Sequence, residues 1–127
     1  MLKKAYTVSI PSDHYLKEVD LIGSISGRDQ DKFSITHLTP VQSKIIDAPY
    51  IGEFPVVLEC KLKKVIELGL HTQFIGEILD VKADESVLSI NNQLDIELIR
   101  PMIFTPGKGV YHSIGEKIDD AFQLRKK

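Results

Sequence analysis

A chain of 127 residues is long enough for one domain, which at this size buries roughly two thirds of its unfolded surface. Its hydrophobic fraction of 43% and charged fraction of 27% exclude disordered and fibrous classes. With 16 Lys and Arg against 18 Asp and Glu, a net charge of -2, it lacks the basic excess expected of a nucleic-acid binder.

No apolar run approaches the ~20 residues of a membrane helix, and the stretch after Lys3 and Lys4 is too short for a signal-peptide core. The reading is therefore a cytoplasmic protein without a membrane partner. Ala5 to Ile10 alternates Tyr6, Val8 and Ile10 with Thr7 and Ser9, a strand pattern ended by Pro11. Ser12 or Asp13 then caps a helix whose apolar face is Tyr15, Leu16, Val19 and Ile22, stopped by Gly23. Ser24 to Arg28 form a flexible turn, and a short helical stretch runs from Asp29, its N-cap, through Phe33. Leu38 to Ala48, with Pro40 inside and Pro49 following, reads as an extended connection.

The centre of the chain is a long hairpin from Phe54 to Ala83. In its first arm Val57, Glu59, Lys61 and Lys63 alternate with Val56, Leu58, Cys60 and Leu62, and its second arm is rich in Phe74, Ile75, Ile78, Leu79 and Val81. Gly69 is the turn residue, and Gly76 in mid-strand marks a bulge, a bend or a close approach. Glu53, Glu59 and Glu77 occur singly on strands, which gives no acid and base pair, and Glu59 and Glu77 could instead be cross-strand neighbours of the lysines at 61, 63 and 64. The single cysteine, Cys60, has neither a disulfide partner nor a metal-ligand set, and is expected to pack as a small hydrophobe. Beyond the hairpin, Asp84 to Gln93 is a loop with a helical turn at Ser86 to Leu88, and Leu94 to Ile99 is a short helix closed by Pro101. Met102 to Phe104 and Val110 to Ser113 read as two strands joined by Pro106, Gly107, Lys108 and Gly109. Ile114 to Leu124 is amphipathic, with Ile118, Ala121 and Phe122 on one side and the basic Arg125 to Lys127 at its end.

Three places carry chemistry. In SGRDQDKF, Ser26 to Phe33, a glycine turn feeds a short helix whose exposed N-H groups can meet an anion. Arg28 and Lys32, four residues apart, would share a helix face and offer two cations to one ligand, with Phe33 as a platform for a flat ring. The same residue types also begin any short helix, Asp29 and Asp31 would offset the cations, and Phe33 serves equally as a core anchor. His71, at the mouth of the hairpin, titrates near neutral pH and can hydrogen-bond a polar ligand edge, or is a half-exposed turn residue. Of Tyr111 and His112, which face opposite ways on a strand, Tyr111 offers the flat ring, either to a ligand or to the core. His14 and His37 lack partners at metal-ligand spacing and are read as surface residues, so no metal site is expected. No GxGxxG fingerprint and no P-loop occurs.

The words LEC and GLHTQFIGEILDV, together with AYTVSIPS, SGRDQDKF, LTPV, DAPYIGEFPVVLEC and VYHSIGEKIDDAF in that order, resemble the flavin reductase-like, FMN-binding split-barrel family that includes flavoredoxins. The resemblance covers most of the chain. It implies a mainly β, antiparallel split barrel with short helices, N-terminally truncated, formed by residues 1–127 as a single partial domain. It also implies that several further strands and a phosphate-holding turn precede the AYTVSIP segment, where only Met1 to Lys4 stand here. The family's functional features then fall on Ser26, Gly27, Arg28, Lys32, Phe33 and Tyr111 as FMN-binding residues, with His71 near the flavin or its reductant. Where the family often shows Gly-Asp-His, this chain has Gly-Leu-His, and lacks the carboxylate that would fix the imidazole. The function implied is flavin reductase-like or flavoredoxin-like electron transfer, with NADH, NADPH or a protein as donor. The homodimer usual in the family suits a barrel with an open strand edge that needs a partner. A reading from a different class competes: a truncated, non-catalytic dimer that no longer binds flavin well. Loss of several charge-assisted hydrogen bonds, each worth roughly 1.5–3 kcal/mol, would lower FMN affinity by orders of magnitude.

Overall fold

The computed structural model describes residues 4–28 and 30–126. Its first strand, β1, is Ala5–Ile10. A 3-10 turn at Asp13–Tyr15 leads into helix α1, Leu16–Ser24, which runs past Gly23, and Ser12 makes no side-chain capping bond. Helix α2 is Lys32–Thr36, capped by the Asp31 carboxylate through the N-H of Phe33. The helix therefore starts later than its sequence implied, and the expected cap, Asp29, lies outside the described residues. His14 and His37 are exposed.

The connection read as merely extended contains two short strands, β2 (Pro40–Gln42) and β3 (Pro49–Ile51), paired antiparallel as a ribbon. The hairpin is as read: β4 is Val56–Glu67 and β5 is Thr72–Ala83, turning at Gly69 with φ +80°. Register shifts between Glu59 and Cys60 and between Leu62 and Lys64 bend it. β1 pairs antiparallel with β4, giving a three-stranded sheet of order β1-β4-β5, so β5 has a neighbour on one side only. After a 3-10 turn at Glu85–Val87 come α3, Ile96–Ile99, and the hairpin of β6 (Met102–Thr105) and β7 (Val110–Ser113). Residues 114–123 form no helix, and only a 3-10 turn follows at Leu124–Lys126. The amphipathic pattern there finds nothing to pack on: Ile118 is fully exposed and Phe122 is 69% exposed.

The core lies around the first half of β4. Val56 packs with Val87 and Ile99, bordered by Ile10 and Ala83. Leu38, Ile46, Ala48, Phe54 and Val57 are also buried, and the Tyr15 and Phe54 rings lie 5.5 Å apart. Covered by the ribbon loop, this half of β4 is buried at successive residues, and Glu59 with it. The cation beside Glu59 is Lys82, at 3.5 Å, and not one of the lysines at 61, 63 and 64. Glu77 does meet a lysine, Lys63, at 3.2 Å. The architecture is the mainly β, antiparallel split-barrel type with short helices, its barrel left open among the described residues.

Candidate functional site

The best-formed candidate is the corner where α1 passes into α2. The turn between them is tied locally: the Ser26 hydroxyl accepts the N-H of Arg28 at 3.1 Å, and the Ser26 carbonyl accepts the N-H of Gln30 at 3.3 Å. Lys32 folds back over it, its Cε 3.9 Å from where a Cβ on Gly27 would stand, and its Nζ donates to the Ile22 carbonyl at 2.9 Å. An ammonium at that carbonyl satisfies an orphan acceptor in the last turn of α1 and opposes the negative end of its dipole. Local bonds thus hold the Ser26 and Gly27 turn and place Lys32 over it.

Arg28 and Lys32 do not share a helix face, because Arg28 lies in the turn before α2 begins. Arg28 is exposed, and among the described residues its guanidinium has no partner. Beneath the turn, Ile22, Lys32, Phe33, Thr36, Leu38 and Ile51 line a slot of about 150 Å³, with walls that are almost wholly apolar. Phe33 is one of those walls, half-buried.

The other two predicted residues stand elsewhere. The Tyr111 hydroxyl donates to Asp20 Oδ1 at 3.1 Å and its ring lies 5.0 Å from that of Phe104, which ties β7 to α1 without lining the slot. Loss of solvent, then the hydrogen bond to Asp20 and its charge, hold this phenol above the usual value. His71 is exposed at the hairpin tip, its carbonyl accepting the N-H of Leu68. β1 pairs with β4 up to Lys61, and β4 continues six residues to Glu67, roughly 20 Å of extended chain. Within one chain His71 and the slot are not brought together.

A larger hollow beside α3, of about 720 Å³, has the wrong charge for an anion, being lined by Asp95, Glu97, Glu116 and Asp119 against Lys117. Another, of about 390 Å³, is lined by Lys4, Ala5, Tyr6, Leu62 and Phe74, one cation among mostly apolar walls. Among the described residues no cluster of His, Cys, Asp and Glu is arranged to hold a metal ion, and no helix is long and apolar enough to cross a membrane. Sequence reasoning missed the burial of a charged group, Glu59, because its cover comes from residues 43–48, distant in the chain.

Residues 1–108 match the model of the flavin reductase like domain. The structure of flavoredoxin of Desulfovibrio vulgaris (Miyazaki F) superposes with a TM-score of 0.88 at 47% identity, over 96% of this chain and 65% of that one. Flavoredoxin from Methanosarcina acetivorans gives 0.86 at 27% identity, over 94% of this chain and 63% of that one. An uncharacterized protein of Archaeoglobus fulgidus is 41% identical over 76 residues, 60% of this chain and 43% of that protein. The chain spans less than two thirds of the length of each of these relatives.

Proposed function

Because the chain belongs to the flavin reductase-like family, we propose that it is an FMN-binding redox protein acting as a flavin reductase or as a flavoredoxin-like electron carrier. The observation that supports this reading is the α1–α2 corner, where Lys32 and an apolar slot lie under a turn carrying Arg28, whose guanidinium has no partner among the described residues, within a fold that matches flavoredoxin. The donor set fits a flat anion. Arg28 and the remaining N-H groups of Lys32 would meet the phosphate, the Ser26 and Gly27 turn would meet a polar edge, and Phe33 would lie against the ring. A slot of about 150 Å³ is below the roughly 300–1,000 Å³ of a ligand cleft, so it admits an edge of a tricyclic ring and not the whole of it. Bound FMN supplies hydride and electron transfer, with NADH, NADPH or a protein as donor.

The incomplete enclosure is a reason to propose a homodimer. Among the described residues the twelve-residue β5 has no strand on its outer edge, and Phe74, Ile78 and Val81 on it are exposed by 58%, 55% and 44%. Open apolar edges of this kind favour pairing with another chain. A role for His71 beside the ring then requires a second copy, given its distance from the slot in its own chain.

The small slot also favours a second reading, a dimeric split barrel without flavin. Titration of the purified protein with FMN and with riboflavin, followed by quenching of flavin fluorescence, separates the two. Stoichiometric FMN binding at micromolar or lower concentration, with riboflavin weaker, is expected. No binding at high micromolar FMN removes the redox reading and leaves the second.

A further inference from the structure

Glu59 is fully buried in mid-strand, with Thr7 of β1 and Asp80 of β5 on its two sides. One carboxylate oxygen, Oε2, accepts from the Ser43 hydroxyl. The other, Oε1, has no hydrogen-bond donor among the described residues, and Lys82 Nζ stands 3.5 Å away. Lys82 is itself part-exposed and lies 3.8 Å from Asp80. Ser43 passes the contact on. Its Oγ accepts the N-H groups of Ile45 and Ile46, each at 3.2 Å, and its N-H donates to the Ala48 carbonyl at 3.1 Å. Ile46, at the far side of that turn, is completely buried.

A buried ion pair adds little to stability beyond what a well-packed apolar pair would give, but removing one partner strands a charge and is costly. Its value is in permitting one docking position. Here the element docked is the β2–β3 ribbon, whose β3 is also held to β1 by Thr7 Oγ1 donating to the Pro49 carbonyl at 2.7 Å and by the Ile51 N-H donating to Ser9 Oγ at 3.2 Å. Ile51 ends that ribbon and, with Leu38, walls the slot beside Lys32 and Phe33.

We propose that Glu59 is a positioning residue: its charge, balanced by Lys82 and handed to Ser43, fixes the β2–β3 ribbon on the central hairpin and so sets one wall of the slot. The fixing of the ribbon stands on the contacts alone, and only its effect on ligand affinity rests on the flavin reading.

Amide hydrogen exchange on the whole chain, without ligand, tests it. In Lys82→Met the stranded carboxylate should speed exchange at Ile45 and Ile46 by about a hundredfold, while mid-strand amides of β4 and β5 change less than about threefold. In Glu59→Gln/Lys82→Met no charge is stranded, and the same two amides should return to within about tenfold of the wild type. Ser43→Ala, which removes both their acceptor and the hydroxyl that donates to Glu59 while leaving Lys82 in place, should loosen them by about tenfold and keeps the test open if Lys82→Met fails to fold. Unchanged loop amides in both single variants, or a double variant no better protected than Lys82→Met, would overturn the proposal. FMN affinity measured alongside should fall in Lys82→Met and recover in the double variant. Failure of the wild type to bind FMN counts against the flavin reading, and the exchange result then decides the role of Glu59 by itself.

Discussion

The phenol ring of Tyr6 lies across Gly76, two strands away, with its Cζ 2.7 Å from the position that a Cβ on Gly76 would take. Tyr6 faces Cys60 in the β1–β4 ladder and Gly76 faces Leu62 in the β4–β5 ladder, so the ring reaches diagonally over the central strand. A side chain at 76 would have to displace it. Gly76→Ala is expected to cost about 1–3 kcal/mol in urea unfolding, the usual range for overpacking. In Tyr6→Ala/Gly76→Ala the two losses should fall short of additive by about 1 kcal/mol, since the clash disappears with the ring. Additive losses would show that the glycine is required for some other reason.

Cys60 is 3% exposed, and removal from water pushes its thiol above the ordinary value of 9.0. The thiolate is the reactive form, so burial suppresses both its population and its access. Labelling by iodoacetamide at pH 7 should be at least about a hundredfold slower in the native protein than in urea. Rapid stoichiometric labelling of native protein would contradict the packing described.

The bond between Tyr111 and Asp20 makes a prediction for alkaline solution. The folded phenol sits above its ordinary value of 10.0, through loss of solvent first and Asp20 second, so the folded chain holds this proton more tightly than the unfolded one. Its contribution is complete below about pH 10 and is lost as pH climbs through the higher folded value. Urea midpoints measured from pH 8 to 11.5 should therefore fall more steeply in the wild type than in Tyr111→Phe. Parallel profiles would mean that the hydroxyl is not held by Asp20 in solution.

How far the sequence revealed this depends on how local each feature is. The hairpin, its Gly69 turn and the β6–β7 pair follow from alternation and turn residues close in the chain, and the bonds that hold the Ser26 and Gly27 turn and place Lys32 over it are local too. Gly76 reads as a bulge, a bend or a close approach by a ligand or another backbone, whereas its neighbour is the Tyr6 side chain, brought there by the pairing of β1 with β4. Alternation places Glu59 on the polar face of its strand, whereas its burial depends on where residues 43–48 settle. The separation of His71 from the slot likewise follows from strand length beyond β1, which the residues around either of them do not encode. The amphipathic period of residues 114–124 was legible and produced no helix, because a pattern needs a surface to pack on.

The two cations of the corner should separate when each is removed. Lys32 already serves α1 through the Ile22 carbonyl, so Lys32→Met should lose about 0.5–1.5 kcal/mol of stability and weaken FMN and riboflavin together by loosening the slot it lines. Arg28 is exposed and has no partner among the described residues, so Arg28→Gln should leave the urea midpoint unchanged. If its guanidinium meets the phosphate, losing that charge-assisted bond, worth about 1.5–3 kcal/mol, weakens FMN by at least about tenfold. Riboflavin, which carries no phosphate, should be unaffected, and added salt should narrow the FMN difference between wild type and variant. An Arg28→Gln protein that binds FMN as tightly as the wild type would place the phosphate elsewhere, while equal losses for both flavins would point to the turn as a contact for the ring.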